Sequence, residues 1–326
     1  MPPKIKGMTT NLTSQTSSSR RFTLMVSGED AINAGLEQHS PPSGLPQERF
    51  LLGDRLPIAP ILLLGQSDLA VNPHEVIACL QPVHLHATRD HLILMAQNQI
   101  DLTANESASL LQVALPFIEE DFRSKVLFQG QRDWFISAGP FASLATHSID
   151  QAYGRNIDWW MPRDTNVTGI AKLWRKLQNE IQMLWHIDPV NQEREQRRYP
   201  SINSLWISGI GKLADIQTHP LFENVNQIYG DHPLLVGLAK YLAIPQQREI
   251  DFSKLQDAFA WIDRPESIWD NLRKALLSKE LDEIEIIDFP KGQTRHRIFT
   301  AKDLNKKSWA FWKKTEPLTW QEVISA

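Results

Sequence analysis

The sequence predicts an α/β protein built from a mixed sheet with flanking helices. Short apolar runs, such as residues 22–27 and 204–208, have the length and composition of β-strands. Longer stretches between them place apolar residues at helical spacing, most clearly from residue 170 onward. No repeat period relates these segments, so the pattern favours one α/β core over a solenoid.

The first half of the chain is expected to alternate strands with short helices. Thr103 and Glu106 make the pattern T-x-x-E of a capping box, so a helix should begin there. Pro116 lies inside this helix and should kink it, because proline removes a backbone donor. The other elements expected here are a strand at 22–27, a short helix and then a hairpin within 75–97, and strands at 125–130 and 133–137.

The second half contains the longest amphipathic helix. Its apolar stripe consists of Ile170, Leu173, Trp174, Leu177, Ile181, Leu184 and Trp185, and Pro189 should end it. Asp231 is expected to cap a helix at 233–243, with Pro233 in the first turn. The remaining elements expected are strands at 204–208 and 224–229, helices at 252–261 and 265–277, and a closing hairpin of 284–289 with 296–300.

Composition narrows the class of protein. The formal net charge of −4 argues against a nucleic-acid partner. Cys79 is the single cysteine, so no intramolecular disulfide can form and a reducing, cytoplasmic location is expected. No apolar run approaches the roughly 18 residues of a membrane helix. Residues 1–21 are rich in Ser and Thr and are expected to form a disordered tail, with residues 22–326 forming a single α/β domain.

Polar side chains beside the apolar stripe of the long helix form the candidate site. Asn179, Gln182 and His186 are spaced i, i+3 and i+7 and share one helix face. The candidate ligand-binding set continues with Asn191, Arg194, Asn203, Ser208, Gly209, Gly211 and Lys212. One interpretation is a polar pocket in which Arg194 or Lys212 holds an anion. The other is a solvated helix surface joined to a structural network in the loop.

Residues 291–314 form a second candidate surface. They contain eight Lys or Arg residues against Asp303, together with Trp309, Phe311 and Trp312. Their positive charge could attract a partner protein or a phosphate-bearing molecule. The alternative is a C-terminal helix that docks its aromatic side and leaves its lysines in water.

Three sequence motifs together resemble a known family. They are residues 81–85 (QPVHL) with Arg89 and Asp90, residues 177–183 (LQNEIQM) continuing through residues 189–191 (PVN), and residues 203–211 (NSLWISGIG). These motifs are similar to a proteobacterial family whose members are labelled cofactor-independent phosphoglycerate mutase, or regulatory protein of the Rpf-E type. The similarity covers about residues 50 to 315.

The resemblance implies a fold remotely like alkaline phosphatase and phosphoglycerate mutase. It also implies a metal-dependent reaction, since such mutases use two metal ions on Asp and His clusters and a serine that carries the phosphoryl group. The clusters expected by the family are missing here. The only Asp-His pairs are Asp90-His91 and Asp231-His232, and the one N-terminal nucleophile region is residues 27–30 (SGED).

The sequence therefore predicts a non-catalytic or regulatory protein that binds a small anionic ligand without a cofactor. Two alternatives stay open. The first is an active phosphoglycerate mutase or phosphatase that depends on Mn, Zn or Mg. The second is a protein-interaction module that uses the basic, aromatic residues 291–314.

Overall fold

The structure is a computed structural model that describes residues 19–28, 44–95, 97–304 and 318–325. Its strands are β1 (Arg21–Met25), β2 (Ile77–Val83), β3 (Leu85–Ala87), β4 (Leu92–Leu94), β5 (Val126–Gln129), β6 (Trp134–Ser137), β7 (Leu144–Ala145), β8 (Arg163–Asp164), β9 (Ser204–Gly211), β10 (Gln227–Tyr229), β11 (Gln246–Gln247), β12 (Ala258–Trp261), β13 (Glu283–Asp288) and β14 (Arg295–Phe299). Its α-helices are α1 (Pro46–Leu52), α2 (Ile58–Gln66), α3 (Gln97–Ile100), α4 (Ala104–Pro116), α5 (Ile149–Ala152), α6 (Ile170–His186), α7 (Pro189–Gln196), α8 (Pro233–Leu242), α9 (Glu266–Leu277) and α10 (Trp320–Ser325).

A six-stranded sheet forms the larger layer, with the strand order β11-β10-β12-β1-β13-β14. The first five strands are parallel, and β14 runs antiparallel to β13 at one edge. Alternate residues of β1 pack on opposite faces: Leu24 lies in the core beneath α9, and Met25 lies in the core beneath α8. Burial on both faces confirms the predicted α/β class with a mixed sheet and flanking helices.

A second, four-stranded antiparallel sheet has the order β5-β6-β2-β9. Helices α4 and α6 cover one face of it, and the apolar stripe predicted for α6 is buried there through Trp174, Leu177, Ile181 and Trp185. Helix α4 begins with the predicted capping box, because the Thr103 hydroxyl accepts from the Glu106 N–H at 3.2 Å. At Pro116 the chain passes from α4 into a π-helical turn.

Helix α2 joins the two sheets. It crosses α8 so closely that a Cβ added to Gly65 would lie 2.2 Å from the carbonyl oxygen of Pro233. On its other side, Gly209 and Gly211 of β9 approach the first residues of α2. Glycine permits both approaches because it has no side chain to collide with the neighbouring backbone.

Two predicted helices are strands in the structure. Residues 77–83, including Cys79, form β2 rather than a helix, and the expected helix at 252–261 ends in β12. Both strands are buried on their two faces, so their apolar runs lack the alternation that marks a half-exposed strand. Such short runs cannot be separated from helix by periodicity alone.

Two smaller corrections concern element ends. His232, and not Asp231, caps α8, because its Nδ1 accepts from the Leu234 N–H at 3.2 Å. Asp231 pairs with Arg248 at 3.0 Å instead. Of the expected N-terminal tail, residues 1–18 lie outside the described residues, and Arg21 already belongs to β1.

Candidate functional site

A cleft of about 630 Å³ lies between the two sheets, where α2, α5 and the N-terminus of α8 meet. Because the parallel strands of the large sheet end at one edge, the loop after β10 brings His232 to this point. The described residues that line the cleft are Glu48, Ile58, Leu62, Gln66, Gln81, Asn98, Gln99, Arg132, Asp133, Ser148, Ile149, Asp150, Tyr153, Ser208, Gly209, His232 and Pro233.

Asp133 is held in the cleft by two side chains and by the turn in which it lies. It lies in the tight turn between β5 and β6, closed by the Gly130 N–H donating to its carbonyl oxygen at 2.8 Å. Gln66 donates to one of its carboxylate oxygens at 2.8 Å, and Gln81 donates to the other at 2.7 Å. The two carboxamides, one from α2 and one from β2, therefore fix the carboxylate across the junction of helix and sheet.

Asp150 faces the same cleft from the first turn of α5. Ser148 caps that helix, its hydroxyl accepting from the Gln151 N–H at 3.3 Å. Within the described residues, the Asp150 carboxyl has no hydrogen bond or ion pair. Solvent reaches Asp150 through the cleft mouth, but surrounding protein reduces its hydration. This burial raises its pKa, and the negative charge of Asp133 acts in the same direction.

His232 borders the cleft with its ring fixed on two sides. The ring stacks on Trp261 at 4.0 Å between centroids, with 27° between the planes. Since Nδ1 accepts the Leu234 N–H, the proton of the neutral ring lies on Nε2. Burial lowers the pKa of His232, although Asp150 favours its charged form. The His232 ring is therefore a neutral hydrogen-bond donor at pH 7.

A second polar group lies at the same edge of the large sheet. Ser27, after β1, donates to Asp263, after β12, at 2.5 Å. The indole N–H of Trp261 donates to the Ser27 hydroxyl at 2.8 Å. Trp261 thus contacts both this pair and His232, so the two polar groups share one aromatic support.

Three residues of the candidate set belong to a structural network. Asn191 donates to the carbonyl oxygens of Trp185 and Ile202. Asn203 exchanges two hydrogen bonds with the backbone of Leu85, at 2.8 and 3.0 Å. Arg194 donates to the backbone carbonyl oxygens of Pro200 and Ile100. These contacts hold the loop after α6 against the β3–β4 hairpin.

The remaining candidates are divided between two places. Asn179, Gln182 and His186 lie on the exposed face of α6. Ser208 and Gly209 line the cleft, whereas Gly211 and Lys212 are half-buried at the end of β9. Ligand binding by the candidate set stays a prediction.

The structure does not bring a metal-binding cluster together in the parts of the chain it describes. There, no group of three or more His, Cys, Asp or Glu side chains is placed to hold a metal ion. Asp90 and His91 lie in the exposed β3–β4 turn, and of the predicted nucleophile region Glu29 and Asp30 lie outside the described residues. The described residues therefore do not fit a two-metal centre.

The basic C-terminal surface is only partly described, since residues 305–317 lie outside the described ranges. Two of its cations are already paired: Arg295 and Arg297 both contact Asp288, at 2.6 and 2.9 Å. This pairing reduces the local positive charge that the sequence suggested.

No motif or spacing in the sequence marks Asp133, Asp150 or Tyr153 as site residues. They come from a tight turn and from a four-residue helix and its end, so no regular spacing connects them with α8. The Asp231-His232 pair was the one sequence feature that could have indicated the cleft. A polar pair directly after a strand often lies at the carboxyl edge of a parallel sheet, where sites are common.

The lowered pKa values of three histidines predict a pH-dependent stability. Burial lowers the pKa of His84, His219 and His232 in the fold, so the unfolded chain binds more protons below its histidine pKa of about 6.5. The free energy of unfolding should therefore fall as the pH falls from 7.5 to 5.5. Asp150 changes the free energy of unfolding in the opposite direction. Because its pKa is raised in the fold, it contributes stability at low pH that is lost as the pH rises.

Urea denaturation at pH 7.5 and 5.5 measures this effect. The difference between the two pH values should shrink in His232→Gln, and His74→Gln, which replaces a histidine outside the cleft, serves as the control. An equal pH dependence in both variants would show that His232 does not titrate as described.

Within the described ranges, no helix has the length and apolar character needed to cross a membrane.

No protein-family model matches the sequence, and no curated protein matches it significantly. Among solved structures, the cofactor-independent phosphoglycerate mutase of Thermoplasma acidophilum is similar at 14% identity and a TM-score of 0.37, over 86% of this chain and 90% of that one. The PH0037 protein of Pyrococcus horikoshii is similar at 11% identity and a TM-score of 0.43, over 88% of this chain and 90% of that one. The chain thus has a weak structural similarity to cofactor-independent phosphoglycerate mutase-like proteins.

Proposed function

We propose that this chain binds a small polar ligand in the cleft between its two sheets, in a regulatory rather than a catalytic role. The main observation in support of this proposal is the pair of carboxyl groups in that cleft. Asp133 is fixed by two carboxamides, whereas the Asp150 carboxyl is open to the cleft and has no bonding partner among the described residues. A carboxyl that is open to the cleft and has no protein partner can accept hydrogen bonds from a ligand that enters it.

The size and lining of the cleft support the same proposal. Its volume of about 630 Å³ lies within the range of sites that take small molecules. Its walls include α2, α8 and strands β2 and β9 of the four-stranded sheet, and α2 packs against each of these, so the site exists before a ligand arrives. The regulatory role and a cytoplasmic location rest on the sequence motifs and composition.

A thermal-shift screen with purified full-length chain tests the proposal. A ligand at 100 times its dissociation constant should stabilise the fold by about 2.7 kcal/mol. The stabilisation should be lost in Asp150→Ala and kept in the control Asp158→Ala, whose side chain is exposed outside the cleft. Ligands that stabilise both variants equally would place binding elsewhere and refute the proposal.

A second candidate function is a metal-dependent phosphoglycerate mutase or phosphatase. One observation favours it: Ser27, His232 and Asp263 meet at the carboxyl edge of the parallel strands, where α/β proteins commonly place their sites. The motif resemblance to the mutase-labelled family, with its remote alkaline-phosphatase relationship, points in the same direction. The described side chains do not form the two-metal cluster that this chemistry needs.

Assay of 3-phosphoglycerate turnover with Mn²⁺, Zn²⁺ or Mg²⁺ separates the two candidates. The binding proposal predicts no turnover above a blank. Turnover that appears with metal, disappears with chelator and is lost in Asp263→Asn would establish the catalytic function instead.

A further inference from the structure

We propose that the ligand of the cleft is a neutral polyhydroxylated molecule, such as a sugar or polyol. This inference rests on the proposed function and specifies its ligand. Four carboxamide side chains border the cleft: Gln66, Gln81, Asn98 and Gln99. A carboxamide carries both a donor and an acceptor without charge, as a hydroxyl group does.

Asp150 and His232 add a matched acceptor and donor. The hydrogen bond from Leu234 to Nδ1 leaves His232 with its proton on Nε2, so the ring donates rather than accepts. The Asp150 carboxylate accepts, and both side chains line the same cleft. The hydroxyl groups of a polyol suit both partners, because a hydroxyl accepts from a donor and donates to an acceptor.

The charges that line the cleft disfavour an anion. Among the described residues, the lining carboxylates are those of Glu48, Asp133 and Asp150, and the one lining cation is Arg132 because His232 is neutral at pH 7. A phosphate or carboxylate ligand would face a net negative lining, which repels it. A simple cation is also poorly matched, since the fixed Asp133 already accepts from two carboxamides.

Tyr153 supplies an apolar surface beside these polar groups. It follows α5 directly, lines the cleft and keeps 52% of its surface exposed. An exposed aromatic ring costs little to desolvate and can pack on the C–H face of a sugar ring while its neighbours bond to the hydroxyls. An aromatic side chain next to uncharged amides and a carboxylate fits a ligand that has both an apolar C–H face and polar hydroxyl groups.

The test compares three ligand classes on the full-length chain by isothermal titration: a panel of neutral mono- and disaccharides and polyols, 3-phosphoglycerate with inorganic phosphate, and short diamines. At least one neutral polyol should bind, with affinity nearly independent of salt. Tyr153→Ala should weaken it about three- to tenfold. Asp150→Asn should weaken it by about tenfold or more. The control Tyr241→Ala, an exposed tyrosine on α8 away from the cleft, should leave it unchanged.

Each other outcome overturns the inference. Binding of only the diamines, lost in Asp150→Ala, or of only the anions, lost in Arg132→Ala, would refute the polyol and leave the proposed cleft function standing. Equal polyol binding by Tyr153→Ala and Tyr241→Ala would show that the ring takes no part. No cleft-dependent binding by any class would refute the inference together with the proposed function.

Discussion

Replacing Arg194 with Ala is expected to destabilise the fold by about 3–5 kcal/mol, the cost of breaking a buried ion pair from one side. The Arg194 side chain is only 1% exposed. It pairs with Glu106 at 3.0 Å, donates to the Pro200 carbonyl at 2.8 Å and also donates to the Ile100 carbonyl. Its loss leaves the two carbonyl oxygens without this donor and removes the cation from the half-buried Glu106 carboxylate.

Arg197→Ala is the matched control, because Arg197 also lies over the Tyr199 ring but is exposed. Chemical denaturation should show a change of no more than about 0.5 kcal/mol for the control, as is usual for surface substitutions. Similar losses in the two variants would contradict the structural role of Arg194 and would revive an anion-binding role for it.

Replacing Gly237 with Ala is expected to cost about 3 kcal/mol or more, at the upper end of overpacking substitutions. The new Cβ would lie 1.9 Å from the carbonyl oxygen of Ile61, so α2 and α8 would have to separate. Alanine is otherwise favoured over glycine in a helix by about 1 kcal/mol, so any net loss measures the collision. His232 caps α8, and ligand binding in the cleft should weaken as well.

Gly139→Ala provides the control, since its Cβ would meet no atom within 4 Å. Thermal unfolding should separate the two variants by many degrees. A Gly237→Ala protein as stable as the wild type would show that the two helices are not packed as closely as described.

The long helix shows how far periodicity reaches in this chain. The stripe of Trp174, Leu177, Ile181 and Trp185 predicted its buried face correctly. The polar member of that face is Gln178, which donates to Ser204 at 2.9 Å, and not its neighbour Asn179. A shift of one residue turns a side chain by about 100° around a helix, so the choice between adjacent polar residues depends on the exact phase of the stripe.

The cleft could not be predicted from spacing, because its polar residues come together only through the order of strands and the crossing of α2 with α8. Gly65 and Gly237 mark that crossing, yet a glycine in sequence does not show which backbone approaches it. The sequence also did not identify the short buried strands β2 and β12 as strands, because burial on both faces removes the alternation of apolar and polar residues. By contrast, the sequence predicted the helix cap at Thr103 correctly, because its partner Glu106 is only three residues away.

A crystal structure of the full-length chain with the ligand that stabilises it most in the screen tests the central claim most directly. The account predicts ordered ligand density in the cleft, within hydrogen-bond distance of Asp150 and His232. Density on the exposed face of α6 beside Asn179 and His186, with the cleft holding only water, would contradict it.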